Sequence, residues 1–223
     1  MIGISALMEI FPVLLKGINV TLIVLVLSAI LAYLIAFIAG FGRLSNVWII
    51  RKFTGFYIEI FRGTSLIVQL FWFFYAIPML FNVNLGNELM AGVLAISLNY
   101  GAYMSEIVRG SIIAVDKGQT EAAIALNMTR FQRMRYVILP QAVRMMLPEF
   151  GNYLIQILKA TSLVSLIGMT DILYHGNILR STNLAMAPTI YLLILVFYFI
   201  LALPLIFLTR KMESISKKGV AQS

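Results

Sequence analysis

Three long stretches without a single charged residue constrain this sequence more than any other feature. They cover residues 17–42, 63–87 and 181–209, and each exceeds the roughly 20 residues that an α-helix needs to cross the hydrocarbon core of a bilayer. The composition agrees, since 61% of the residues are hydrophobic and only 12% are charged, whereas soluble domains carry about 25% charged residues. The sequence therefore predicts an all-α integral membrane protein.

Two further spans are less apolar, and the distribution of basic residues decides whether they exist. One covers about 89–111 and carries Glu106 and Arg109 near its far end, while the other covers about 140–158 and holds two charged residues and two prolines. With five spans and the N-terminus outside, twelve of the 17 basic residues fall in inside segments, as the positive-inside rule requires. Without the fourth span, the basic C-terminal cluster would lie outside. We predict about five transmembrane helices in a single domain, residues 1–223, with the C-terminus inside.

The net charge of +8 is a topology signal in such a chain, because its basic residues flank membrane segments. We therefore expect the lipid bilayer as a partner and no nucleic acid. The sequence contains no cysteine and a single histidine, His175. On this basis we predict no disulfide, no metal site and no catalytic residue.

The longest polar stretch is KGQTEAAIALNMTRFQRMRYVILP at residues 117–140, in the inside loop between the third and fourth spans. We expect Gly118 to break the incoming helix and Thr120 to cap a new helix through EAAIAL. Asn127 follows this run, and Asn is, after Gly, the residue that most readily takes the left-handed conformation that ends a helix. The sequence therefore predicts that the chain turns at Asn127.

A second short helix is predicted after this turn. Thr129 and Gln132 fit a capping box, and the run after them continues as a helix until Pro140. We call residues 117–140 the cytoplasmic knob. Small residues that would permit close approach of a partner are Ala122, Ala123 and Ala125. The basic residues that would equally suit a helix lying on lipid head groups are Arg130, Arg133 and Arg135. The residues alone leave docking and lying flat open.

The cytoplasmic knob resembles the EAA loop of ABC importer permeases, in which EAA is followed by a Gly four positions later and a Leu-Pro pair further on. This chain has Glu121, Ala122 and Ala123, then Asn127 in place of the Gly, and then Leu139 and Pro140. Three further stretches are similar to the polar amino acid branch of that family, which serves arginine, histidine, glutamine and glutamate. They are FRGTSLIVQLFWFFY at 61–75, SEIVRGSIIAVDKGQTEAA at 105–123 and LPEFGNYLIQILKATSLVSLIGMTDIL at 147–173.

The resemblance implies a type I importer permease fold in the cytoplasmic membrane of a bacterium. It also implies three partners, which are ATP-binding cassette ATPase subunits, a second permease chain, identical or paralogous, and an extracytoplasmic amino acid binding protein. The sequence lacks G-x-x-x-x-G-K-[ST], the loop that cradles phosphates, so we expect no enzyme activity and no cofactor, with ATP bound by the partner. The residues that the resemblance assigns to coupling are Glu121, Ala122, Ala123, Asn127, Arg130 and Pro140.

Charged and polar residues at membrane depth are candidates for the solute pathway. Glu59 with Arg62, and Glu106 with Arg109, share an i, i+3 spacing that allows each pair to neutralise itself on one helix face. A purely structural role is therefore the alternative for both pairs. The full set of pathway candidates is Glu59, Asn99, Tyr100, Glu106, Lys159 and Asp171.

A self-contained secondary transporter or channel is the alternative function. Such a protein would be expected to show an inverted repeat and charges at the bilayer midplane, and we find no such repeat in the sequence. A membrane scaffold without a solute path is a further alternative. Only the importer permease requires a stoichiometric ATPase.

Overall fold

A computed structural model of the protein describes residues 4–82 and 87–217. These residues form eleven α-helices and contain no β-strand, which confirms the predicted all-α class. The helices are α1 (Ile4–Lys16), α2 (Ile18–Arg43), α3 (Trp48–Gly63), α4 (Leu66–Phe71), α5 (Ile77–Phe81), α6 (Glu88–Ile113), α7 (Lys117–Ala125), α8 (Arg130–Gln132), α9 (Leu139–Ala160), α10 (Ile172–Thr182) and α11 (Ala187–Lys217). The π-helical turns Trp72–Ala76 and Arg133–Ile138 join α4 to α5 and α8 to α9, and the 3₁₀ turns are Thr161–Ile167 and Leu184–Met186.

Three helical stretches are long and apolar enough to cross a membrane. They are Met8–Arg43, Arg130–Ile167 and Leu184–Lys217. A fourth span exists if α3 and the continuous helix of α4 and α5 count as one, because the two halves meet at a bend of 107°. At 26 residues α6 is also long enough to span a bilayer, but it is not apolar enough to meet the same criterion. Length and composition therefore identify three spans, or four with the bent pair, where the sequence predicts about five.

The second predicted span differs most from the structure. The charge-free run of 63–87 begins at the bend, whereas the helical hairpin begins at Trp48. The missing half is α3, which carries four charged residues and therefore gives no apolar signal. The fifth span is also shifted, because residues 181 and 182 end α10 and α11 continues to Lys217.

Small residues explain why α2 and α6 pack along each other. Ala29, Ala32 and Ala36 recur on one face of α2 at helical spacing and are buried. Gly101 of α6 lies against Ile35, so close that an added Cβ would come within 2.7 Å of its Cγ2 atom. Lipid tails are as apolar as leucine, so helices associate in a bilayer through close packing of this kind. This pair forms the centre of the main core.

The remaining helices complete the main core and build a second one. Tyr33 of α2 donates a hydrogen bond from Oη to the Phe150 carbonyl oxygen of α9 at 2.9 Å. α11 approaches α9 where Gly151 faces Thr209. The second core joins α1, α10 and α11 through Ile10, Leu14, Ile172, Ile190, Ile194 and Phe197. Large apolar side chains on the outward faces of α2 and α11 remain exposed, as expected of surfaces that meet lipid.

Candidate functional site

The bend between α3 and α4 unwinds the chain beside α6. Thr64 and Ser65 are extended, with ψ values of 155° and 134°. Unwinding leaves the last carbonyl groups of α3 without partners in the helix, and each such group is costly in an apolar environment. The bend must therefore be supported by side chains from elsewhere.

Buried polar side chains supply this support. Asn99 of α6 donates from Nδ2 to the Phe61 carbonyl oxygen at 2.9 Å and to Oε1 of Gln69 at 3.1 Å. Gln69 donates in turn to the same Phe61 oxygen at 2.9 Å and to Oγ1 of Thr64 at 2.7 Å. Tyr103 donates from Oη to the Arg62 carbonyl oxygen at 3.1 Å. Asn99, Gln69 and Tyr103 thus hold the unwound segment open.

A polar cleft of about 400 Å³ lies beside the bend. It is lined by Thr64, Ser65, Leu66, Asn99, Tyr100, Tyr103, Tyr153 and Gln156. The rings of Tyr103 and Tyr153 lie nearly parallel with centroids 6.3 Å apart, and Tyr100 meets Tyr153 edge to face. The cleft thus brings together polar groups from the break between α3 and α4, from α6 and from α9.

The predicted pairs of Glu and Arg behave differently from each other. Glu106 pairs with Arg109 at 2.8 Å, as the spacing predicts, and also lies 3.5 Å from Nε of Arg43 on α2. Glu59 does not pair with Arg62. It is exposed on α3 and makes no ion pair among the described residues, whereas the Arg62 guanidinium lies over the Tyr103 ring, 5.3 Å from its centroid.

Asp171 lies in the second core and not at the cleft. The side chain of this residue is fully buried. Its carboxylate accepts hydrogen bonds from the Tyr174 amide at 2.9 Å and from the Tyr198 hydroxyl at 3.2 Å. It caps α10, and burial raises the pKa of its carboxyl to about 6. Asp171 therefore has a structural role in this conformation, as the buried cap of α10.

Of the six pathway candidates, the cleft contains Asn99 and Tyr100. Lys159 is exposed one turn beyond Gln156 on α9, and Glu59, Glu106 and Asp171 do not line the cleft. A solute-binding role for Asn99 and Tyr100 stays a prediction. His175 has no metal partners, since no group of three or more His, Cys, Asp or Glu side chains that could hold a metal ion occurs in 4–82 or 87–217.

The first helix of the cytoplasmic knob begins earlier than predicted. α7 starts at Lys117, and Asp116 caps it by accepting from the Gly118 amide. Gly118 therefore lies inside the first turn of α7, and the predictions that it breaks a helix and that Thr120 is the cap are wrong. The physical reason is that the Asp116 side chain accepts a hydrogen bond from a backbone amide of the first turn, so the helix begins there and not at Thr120.

The turn at the end of α7 follows the prediction. Asn127 has φ of +56° and lies in the left-handed region, and the Met128 amide donates back to the Ala123 carbonyl oxygen at 3.0 Å. Thr129 and Gln132 form the complete capping box of α8. The helix does not end at Pro140, as predicted from the sequence, because the π-helical turn Arg133–Ile138 leads directly into α9 and the chain stays helical through Ile167.

The surface of the cytoplasmic knob is apolar and basic. Ala123, predicted to face a partner, is only 2% exposed because it packs inside the knob; Glu121, Ala122 and Ala125 are exposed. The large apolar side chains on this surface are Ile124, Leu126, Phe131 and Tyr136, and Leu126 is 71% exposed. Arg130 and Arg135 are exposed beside them. An exposed apolar cluster of this kind is typical of a docking surface.

Sequence reasoning missed Gln69, Tyr103, Tyr153 and Gln156. Gln69 had a usable signal, because it is a lone amide within an apolar run that follows Gly63, Thr64 and Ser65. No sequence signal marks Tyr153 and Gln156, since they line the cleft only because α9 packs against α6 near the bend.

The fold and these two features define a class of protein: a multi-pass membrane protein with a polar cleft beside a broken helix and an exposed apolar cluster on the loop between α6 and α9. The profile of the family described as "binding-protein-dependent transport system inner membrane component" matches residues 32–214. The chain belongs to this family.

Named relatives agree. The chain is 44% identical to a "probable amino-acid ABC transporter permease protein" of Sinorhizobium fredii over 89% of this chain and 85% of the relative. It is 38% identical to the "glutamine transport system permease protein GlnP" of Escherichia coli over 94% and 95% of the two chains. A solved structure described as "an amino acid ABC transporter with histidines" superposes with a TM-score of 0.87 at 34% identity, covering 96% of this chain and 99% of that one.

Proposed function

We propose that this chain is the permease subunit of an ATP-driven amino acid importer, in which it forms the solute pathway and couples that pathway to a separate ATPase. The observation that carries the proposal is the polar cleft at the broken helix, in a chain with amino acid permease relatives over more than four fifths of its length. Broken helices at membrane depth are the usual means by which transporters offer backbone groups to a solute.

The cleft has the size and chemistry that an amino acid needs. At about 400 Å³ it falls within the range of small-molecule sites. Asn99, Gln156 and three tyrosines offer hydroxyl and amide groups as donors and acceptors. Of the pathway candidates predicted from the sequence, Asn99 and Tyr100 are the two that line the cleft.

Coupling runs from the cytoplasmic knob to the cleft through a single helix. Arg130–Ile167 is continuous, and it begins in the knob and carries Tyr153 and Gln156 further along. We propose that Leu126 and its apolar neighbours dock on the ATPase, and that Asn127 sets the angle at which α7 meets this helix. Pro140 begins the membrane part of the same helix.

Energy must come from outside the chain, because the sequence lacks a phosphate-cradling loop. The proposed partners are two ATPase subunits that bind the ATP, a second permease chain and an extracytoplasmic binding protein. Moving a two-state membrane domain from about 1:99 to 99:1 requires roughly 5.5 kcal/mol of differential binding. The proposed place of action is the cytoplasmic membrane of a bacterium, with the C-terminus and the cytoplasmic knob inside.

Copurification in mild detergent and uptake in proteoliposomes test the proposal. We expect a stoichiometric ATPase to copurify with the chain and amino acid uptake to require ATP. Leu126→Asp should abolish copurification, whereas Ser214→Asp, which adds the same charge at an exposed position of α11, should not. Uptake that proceeds without ATP or ATPase would instead support a secondary transporter.

A further inference from the structure

The cleft has an uncharged interior. All eight residues that line it carry neutral side chains, and their polar groups are the hydroxyls of Thr64, Ser65 and the three tyrosines and the amides of Asn99 and Gln156. The side-chain amide nitrogen of Asn99 already donates to the Phe61 carbonyl oxygen and to Oε1 of Gln69, on either side of the helix break. The Gln156 side chain is exposed toward the cleft and makes no hydrogen bond of its own among the described residues. Gln156 is therefore the amide that remains available to a solute.

Charged residues surround the cleft without entering it. Glu106 lies one turn beyond Tyr103 on α6, but Arg109 and Arg43 share its carboxylate. Arg62 lies over the Tyr103 ring. Glu149 and Lys159 are exposed on α9, one turn before Tyr153 and one turn after Gln156. Charges of both signs thus stand at the rim, and the carboxylate nearest to Tyr103 in sequence is already paired.

We propose that the cleft selects amino acids with uncharged side chains, of the amide or aromatic kind, and that Gln156 is a specificity-determining residue. This inference rests on the proposed function. The rim charges suit the ammonium and carboxylate groups that every amino acid has. A charged side chain, in contrast, would enter an interior without an opposite charge, and removing an ionised group from water without a partner is costly. Aromatic rings and amides can instead stack on the tyrosines and bond to Gln156.

Direct binding to the complex of this chain with its ATPase, purified in detergent without the binding protein, tests the inference. The probes are radiolabelled L-glutamine, L-phenylalanine, L-arginine and L-glutamate. We expect glutamine or phenylalanine to bind at least about tenfold more tightly than arginine and glutamate. Gln156→Glu keeps the shape of the side chain and adds a carboxylate, so it should raise the affinity for arginine by about tenfold and weaken that for glutamine. Asn152→Asp, exposed one turn away and outside the lining, should change neither.

Each contrary result has a distinct meaning when ATP-dependent uptake is measured in parallel. Wild-type protein that binds arginine or glutamate as tightly as glutamine and phenylalanine would overturn the selection by charge. So would an arginine affinity that Gln156→Glu leaves unchanged, or binding of none of the four probes, while uptake continues. Absence of ATP-dependent uptake of any amino acid would overturn the proposed function itself, and the inference with it.

Discussion

At the scale of single residues, Asn127 shows how one dihedral angle shapes the cytoplasmic knob. Its positive φ is free of strain for Gly, tolerable for Asn and costs a β-branched residue about 1 to 2 kcal/mol or more. We expect Asn127→Gly to leave uptake and ATPase activity unchanged. Asn127→Val should keep membrane insertion but lower the ratio of solute imported to ATP hydrolysed, as measured in proteoliposomes. Equal ratios for both variants would show that the turn at Asn127 has no part in coupling.

Asp171 offers a second test at this scale, through pH. The pKa of about 6 in the folded protein lies above the ordinary value of about 3.9, so folding favours the protonated carboxyl. Its contribution to stability is complete below about pH 4, and it is lost as the pH rises through 6.

Asp171→Asn keeps an acceptor for the Tyr174 amide and removes the charge. We expect thermal unfolding in detergent to show a smaller difference in melting temperature between pH 5 and pH 8 for this variant than for the wild type. Asp171→Leu is the contrast, because it also removes the helix cap, at a cost of about 1 kcal/mol. An unchanged pH difference in the Asn variant would show that other groups cause it.

At the scale of helices, two glycines of α6 differ in packing, and substituting each by alanine distinguishes the effect of packing from that of helix propensity. A Cβ on Gly101 would come within 2.9 Å of the Cβ of Ile35, while one on Gly110 would meet nothing within 4 Å. We expect Gly101→Ala to destabilise the protein by about 1 to 3 kcal/mol through overpacking. Gly110→Ala should be neutral or stabilise by up to about 1 kcal/mol. Thermal melting of the two variants in one detergent checks this, and equal shifts would refute close α2–α6 packing as the cause.

The sequence predicts helices well where apolarity or capping is a local property. The extents of α2, α6 and α9 come within a few residues of the predicted spans, and Asn127 and the Thr129 capping box needed no tertiary information. α3 could not be found this way, because its four charged residues interrupt the apolar pattern, and only Gly55 and Ile58 of this helix are buried. The burial of Asp171 and Ala123 was also beyond reach, since it depends on tertiary contacts, with α11 for Asp171 and within the knob for Ala123.

At the scale of the whole molecule, the five-span prediction determines which exposed positions face the cytoplasm. The chain contains no cysteine, so each introduced cysteine is unique and its accessibility can be read with a membrane-impermeant maleimide. We expect Lys117→Cys and Lys217→Cys to react from the cytoplasmic side only, and Arg180→Cys from outside only. All three positions are exposed. Asn84, also expected outside, lies beyond the described residues. A C-terminus that reacts from outside would refute the five-span topology.

The unbroken helix Arg130–Ile167 has a mechanical consequence. Tyr153 lies about 35 Å from Arg130 along this helix, at 1.5 Å per residue. If this helix pivots as a rigid rod near Arg130, a tilt of about 10° carries Tyr153 sideways by about 6 Å. That displacement is as large as the separation between the Tyr103 and Tyr153 rings. A modest tilt of this helix about Arg130 is thus sufficient to separate the Tyr103 and Tyr153 rings and so to open the cleft.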